Sequence, residues 1–229
     1  MMKEIQIPFE KNVRIVGNLH APKDSSTLLI LCHGFTDNKD VYAIKRLAEL
    51  LEKYANVFRF TFTDKEPNLL IESKNILKIT EYFSPRYKSI ILVGGSLGCL
   101  SALLSTFNNK RVDKLILINP FIYFFEKITW RFRKVLILMT LLYPFSQRVR
   151  TSFSFYFKTL VPSKIGIPTL IIVGANDQIV SPLHAKTLYK QIGSVEKKLI
   201  IDNNIDHGLT KEQYLKTVTD YITNWLKIN

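Results

Sequence analysis

Ser89-Ile90-Ile91-Leu92-Val93-Gly94-Gly95-Ser96-Leu97-Gly98-Cys99-Leu100 decides how this chain is read. An apolar run of strand length leads into Gly-x-Ser-x-Gly, and a helical pattern follows from Leu97 to Phe107. A sharp strand-to-helix turn imposes an unfavourable dihedral on its central residue and presses the neighbours against adjacent backbone, so glycines must flank it. The turn lifts the Ser96 hydroxyl off the carboxyl edge of a sheet. It also aims the Leu97 N–H, at the start of a helix, toward a developing oxyanion. The competing reading is a glycine-rich turn whose serine only caps the helix; the buried strand before it and the helix after it favour a nucleophile.

Working outward, the alternation repeats. Thr27 to Cys32 is a continuous apolar run, the mark of a central strand covered on both faces. Asp40 is the expected N-cap of a helix through Tyr54. Val57 to Phe62, Leu115 to Ile118, Thr169 to Val173 and Lys198 to Ile201 read as further strands. Leu69 to Phe83, Pro182 to Ile192 and Lys211 to Lys227 read as helices. Ile5 to Phe9 and Val13 to His20, with a turn at Glu10-Lys11-Asn12, look like an antiparallel edge. Strands joined by helices of this length need crossovers, so the expected class is α/β, with a mostly parallel central sheet and helices on both faces. A length of 229 residues with 47% apolar composition suits one domain over 1–229, carrying one insertion at about 121–165.

The N-terminus has no apolar stretch with a cleavage site, and the uncharged run Val135 to Gln147 is shorter than the roughly 20 residues of a membrane span. Cys32 and Cys99 lie in core-like segments and are expected as buried thiols, which points to a reducing cytoplasm.

A serine hydroxyl is barely nucleophilic without a base. Of the four histidines, His207 lies on the loop after the last strand, in Asp202-Asn203-Asn204-Ile205-Asp206-His207-Gly208. His20 and His184 read as surface residues, and His33, before Gly34, suits an oxyanion loop. The acid that holds the imidazole in the right tautomer is expected to be Asp177, on the loop directly after a buried strand. Asp202 and Asp206 are its rivals, although Asp206 adjoins His207 and can rarely curl back onto its Nδ1.

Taken together, Leu31-Cys32-His33-Gly34-Phe35-Thr36, Gly94-Gly95-Ser96-Leu97-Gly98, Gly174-Ala175-Asn176-Asp177 through Val180-Ser181-Pro182, and Asp206-His207-Gly208 resemble the α/β-hydrolase superfamily. Within it they are similar to small esterases related to cinnamoyl (feruloyl) esterases, to serine-aminopeptidase-like hydrolases and to monoacylglycerol lipases. The likeness covers nearly the whole chain outside residues 121–165. It implies the backbone N–H of Phe35 as second oxyanion donor, and no metal or cofactor. Two departures are visible: Thr61 to Pro67 runs quickly into the next helix, and position 95 is a glycine.

Residues 121–165 fall where such hydrolases insert a cap over the active site. They hold 12 of the 27 aromatic residues and +7 of the formal charge of +13. From Val135 to Leu142 the helical pattern is apolar nearly all round. Such a face is compatible with lining a substrate pocket, through Leu138, Leu142 and Phe145, with meeting a second subunit, or with touching anionic lipid between its basic flanks. The expected function is a serine carboxylesterase acting on a small ester with an apolar or aromatic part. Lysophospholipase, monoacylglycerol lipase, thioesterase and aminopeptidase chemistry use the same residues, and a binding protein that keeps the fold without turnover is the non-enzymatic alternative. Nucleic acid is not an expected partner, because no recognition module accompanies the charge.

Overall fold

The computed structural model describes residues 2–122 and 161–228, apart from Lys23, Lys65, Glu66 and Asn108. Two leading strands, β1 (Met2–Glu10) and β2 (Val13–His20), are followed by β3 (Thr27–Cys32), α1 (Tyr42–Leu51), β4 (Asn56–Thr61) and α2 (Leu69–Phe83). Then come β5 (Ser89–Gly95), α3 (Gly98–Thr106), β6 (Lys114–Ile118), β7 (Thr169–Gly174), α4 (Pro182–Gln191), β8 (Lys197–Asp202) and α5 (Glu212–Leu226). The eight strands form one sheet in the order β1-β2-β4-β3-β5-β6-β7-β8. Pairing is antiparallel for β1 with β2 and β2 with β4, and parallel across the rest.

Alternation along the strands explains the three layers. On β3, Leu28, Ile30 and Cys32 join the core under α2, α3 and α4, with Ile76, Phe83, Leu103 and Leu188. Leu29 and Leu31 face the other way, onto Leu47 and Leu51 of α1 and Leu215 and Ile222 of α5. A strand apolar on both faces is therefore central, as its composition requires. The carboxyl ends of β3, β5, β6, β7 and β8 share one edge of the sheet. Every loop carrying a candidate site residue among the described residues leaves from that edge, where open α/β sheets bind ligands. Among the described residues, no helix is long and apolar enough to cross a membrane.

Two local expectations are corrected. Asp40 does not cap α1: the helix starts at Tyr42 after Val41, without a side-chain cap, and ends at Leu51. The Asp40 carboxylate instead accepts from Arg59 Nη1 (2.5 Å) and Lys39 Nζ (2.6 Å). His20 is not a surface residue either; it is 2% exposed. Its Nδ1–H donates to Glu52 (2.6 Å) while Nε2 accepts from Arg59 Nε (2.9 Å). Arg59 lies buried on β4, so the strand needs polar partners on its flanks, and His20 of the neighbouring strand is one of them.

A buried carboxyl joins α2 to α3. Glu72 accepts from the Ser101 hydroxyl and from Asn68 N–H (3.2 Å). Burial raises its pKa from 4.5 to about 7, outweighing what the two donors lower. The folded state therefore keeps a proton that the unfolded chain has released, so this contribution to stability is present below about pH 4.5 and lost as pH rises through about 7. The loss amounts to roughly 3 kcal/mol. Glu72→Gln, uncharged and of the same shape, should remove this decline. Urea midpoints of the two proteins should lie close at pH 4.5, with the variant more stable at pH 8; parallel pH profiles would contradict the assignment.

Candidate active site

The turn between β5 and α3 holds Ser96 at φ +51°, a left-handed conformation that costs an L-residue about 1–2 kcal/mol. Three backbone bonds hold it there. Ser96 N–H donates to Ile118 C=O (2.9 Å), and Ser96 C=O accepts from the N–H groups of Cys99 (3.2 Å) and Phe121 (3.3 Å). The flanking glycines are required by close approach: a Cβ on Gly98 would stand 2.3 Å from the His33 oxygen, and one on Gly94 2.8 Å from Cys99 Cα. Gly95 has room, with its nearest neighbour at 3.9 Å.

Ser96 Oγ–H donates to His207 Nε2 (2.9 Å), and His207 Nδ1–H donates to Asp177 Oδ2 (2.7 Å). The Asp177 side chain is fully buried, while that of His207 is 13% exposed. Asp177 Oδ1 is occupied by the N–H groups of Ile179 and Val180, both at 2.8 Å, so the turn into α4 locks the carboxylate with Oδ2 toward the imidazole. That partner fixes the proton on Nδ1 and leaves Nε2 as an acceptor. Both rival acids are engaged elsewhere. Asp206 accepts from the N–H (3.0 Å) and hydroxyl of Thr210, and Asp202 from Asn204 N–H (2.6 Å) and the Tyr221 hydroxyl (2.6 Å).

The loop after β3 lies against this serine: a Cβ on Gly34 would be 3.4 Å from Ser96 Cβ. His33 anchors the loop. Its Nε2 accepts from Phe62 N–H (3.1 Å) and its Nδ1–H donates to Gly34 C=O (3.0 Å). Burial lowers the His33 pKa, in keeping with the neutral tautomer that these two bonds need. Thr36 turns the chain at φ +53°, and Asp37 N–H closes the turn onto Gly34 C=O (3.4 Å). Among the described residues, the N–H groups of Phe35 and Leu97 donate no hydrogen bond. A helix start leaves such groups open. Cys32 and Cys99 are buried free thiols whose pKa burial pushes up, so neither competes as a nucleophile.

His184, expected at the surface, is 2% exposed beside Phe121, with ring centroids 6.1 Å apart. Leu138, Leu142 and Phe145 lie outside the described residues. Sequence reasoning passed over Asn119, a buried polar side chain at the end of β6. A polar residue between a buried strand and Pro120 was the signal available for it.

An elbow serine after β5, an acid after β7 and a histidine after β8, at one edge of this sheet order, define the architecture. The chain has the α/β-hydrolase fold. The esterase Pf2001 of Pyrococcus furiosus superposes with a TM-score of 0.77 at 19% identity, over 99% of this chain and 90% of that one. Est1E from Butyrivibrio proteoclasticus gives 0.75 at 18% identity, over 98% and 99% of the two chains. A dienelactone hydrolase from Anabaena variabilis gives 0.72 at 15% identity, over 99% and 97%. At such identities the likeness to these α/β-hydrolases is one of fold. The family described as "Serine aminopeptidase, S33" matches residues 158–214, a stretch that contains Asp177 and His207 but not Ser96. No curated protein sequence matches the chain significantly.

Proposed function

We propose that this α/β-hydrolase-fold protein is a serine hydrolase that cleaves carboxylic esters through an acyl-enzyme. The observation that carries the reading is the unbroken chain from Ser96 Oγ through His207 to Asp177, at 2.9 and 2.7 Å, beside two unengaged N–H groups. Ser96 Oγ attacks the ester carbonyl while His207 Nε2 takes the hydroxyl proton. The N–H groups of Phe35 and Leu97 receive the negative charge that develops on the carbonyl oxygen, where preorganised donors contribute most. As the tetrahedral intermediate collapses, the C–O bond to the alcohol breaks and His207 returns the proton to it. Water then attacks the acyl-enzyme by the same route and releases the acid and free Ser96. Asp177 remains ionised throughout, holding the tautomer and balancing the imidazolium.

The esterase names of the similar structures, one of them Est1E with ferulic acid bound, run in the same direction. So does the aromatic and aliphatic composition of residues 121–165, which favours an ester with an apolar or aromatic part. The aminopeptidase-like match supports amide cleavage as a second reading, because its stretch carries the proposed acid and base. A fluorophosphonate probe should label one site per chain, on the peptide bearing Ser96, and His207→Ala should block it. Labelling elsewhere, or none, would remove the proposal. Nitrophenyl esters of increasing chain length, run beside an aminoacyl-anilide, separate the two readings: the esters should turn over with a preference for apolar acyl groups, and the anilide far more slowly.

A further inference from the structure

Asn119 follows β6 directly and has φ +47°. Asn and Asp are the non-glycine residues that best tolerate this left-handed region. Its backbone N–H still extends the ladder to Ile172 C=O (2.8 Å), so the turn redirects the side chain without loosening the strand. The side chain is 1% exposed and makes three hydrogen bonds. Nδ2 donates to the carbonyls of Asp206 and His207, both at 2.9 Å, and Oδ1 accepts from Gly174 N–H (2.9 Å). The amide can face only one way, because a carbonyl cannot donate and an N–H cannot accept.

Those partners lie on two of the three loops that the proposed reaction needs. Gly174 ends β7, three residues before Asp177, and His207 is itself the proposed base. The contact between these loops is direct, since a Cβ on Gly174 would be 2.2 Å from Ile205 C=O. The residues beside Asn119 hold the third loop: Ile118 C=O accepts from Ser96 N–H (2.9 Å), and Phe121 N–H donates to Ser96 C=O (3.3 Å). The exit of β6 therefore touches the nucleophile turn, the acid strand and the base loop at once. We propose that Asn119 is a positioning residue for the Ser96–His207–Asp177 chain, clamping the His207 backbone to the strand that delivers Asp177. The proposal rests on the reading of those three residues as catalytic.

Asn119→Asp keeps the shape and tolerates the same φ, but turns an oxygen toward two carbonyls. A displacement of the imidazole by about 1 Å is worth about 100-fold in rate. The variant should therefore lose about 100-fold in kcat on a short ester, with KM changed less than threefold. Its activity relative to the parent should recover toward acid, where a protonated carboxyl again donates one hydrogen bond. The downfield proton signal of the His207–Asp177 bond should broaden or disappear. Asn119→Gly, which keeps the backbone conformation and removes the amide, should show the same kcat loss without the pH-dependent recovery. Parent-like kcat and proton signal in the folded variants would overturn the proposal. So would losses that only track the folded fraction, or failure of both variants to fold, since Asn119 would then be a fastening of the fold. Ser96→Ala run in parallel separates the two levels: if it stays active, the catalytic reading fails; if it is inactive while the Asn119 variants match the parent, only this inference fails.

Discussion

Ser96→Ala is expected to lower ester kcat by roughly four to six orders of magnitude while leaving the fold intact. The size follows from what the substitution removes. Without Oγ no acyl-enzyme can form, and what remains is water attacking a carbonyl held by the Phe35 and Leu97 N–H groups. Structurally the change is small. The three bonds that hold position 96 in its left-handed conformation are all backbone bonds, so alanine inherits them. Among the described residues, the side-chain bond lost is the one to His207 Nε2. Thermal unfolding should therefore move by no more than a few degrees, and in either direction, since active sites commonly hold strain that a catalytic substitution relieves. A folded variant that keeps more than a few per cent of the parent activity would mean that another group carries the chemistry.

Much of this architecture could be read from local pattern. Each buried strand is a short apolar run, and each crossover helix has a stripe that repeats, so Leu69–Phe83 appears in the structure with the bounds its periodicity predicts. The hydrogen-bonded grouping of Ser96, Asp177 and His207 was legible for a related reason: each lies on a turn or loop that follows a strand, at the sheet edge where loops converge. What stayed hidden depends on partners distant in sequence. Asp40 looks like a helix cap because capping is local, yet an arginine 19 residues away takes its carboxylate. His20 looks exposed until β2 is laid beside β4, where Arg59 meets it. Asn119 is a single polar residue whose three partners lie 55 to 88 positions further on, so no window around it carries the signal. Gly95, the second departure from the resemblance, would place a Cβ in ordinary contact, 3.9 Å from the Cys32 oxygen, so a small side chain beside Ser96 meets no obstacle.

Asp177→Asn should lower kcat by about four orders of magnitude, whereas Asp206→Asn and Asp202→Asn should stay within a few-fold of the parent. The direction comes from the hydrogen bonds around Oδ1. Two N–H groups, from Ile179 and Val180, point at that atom, so an asparagine must place its carbonyl oxygen there. Its amide nitrogen is then left facing His207 Nδ1, at the position where Oδ2 stood 2.7 Å away. An N–H in that place donates to Nδ1 and drives the imidazole proton onto Nε2. The histidine then presents a donor to Ser96 where the reaction needs an acceptor, although every heavy atom is nearly where it was. Asp206 and Asp202 hold Thr210, Asn204 and Tyr221 instead, so their amides disturb the loop but not the tautomer. The check is to measure kcat on one activated ester for the three folded variants and to read the His207 ring nitrogens by NMR. The expected pattern is a protonated Nε2 in Asp177→Asn alone. If Asp206→Asn proves the slower variant, or Asp177→Asn keeps the proton on Nδ1 with high activity, the orienting acid lies elsewhere.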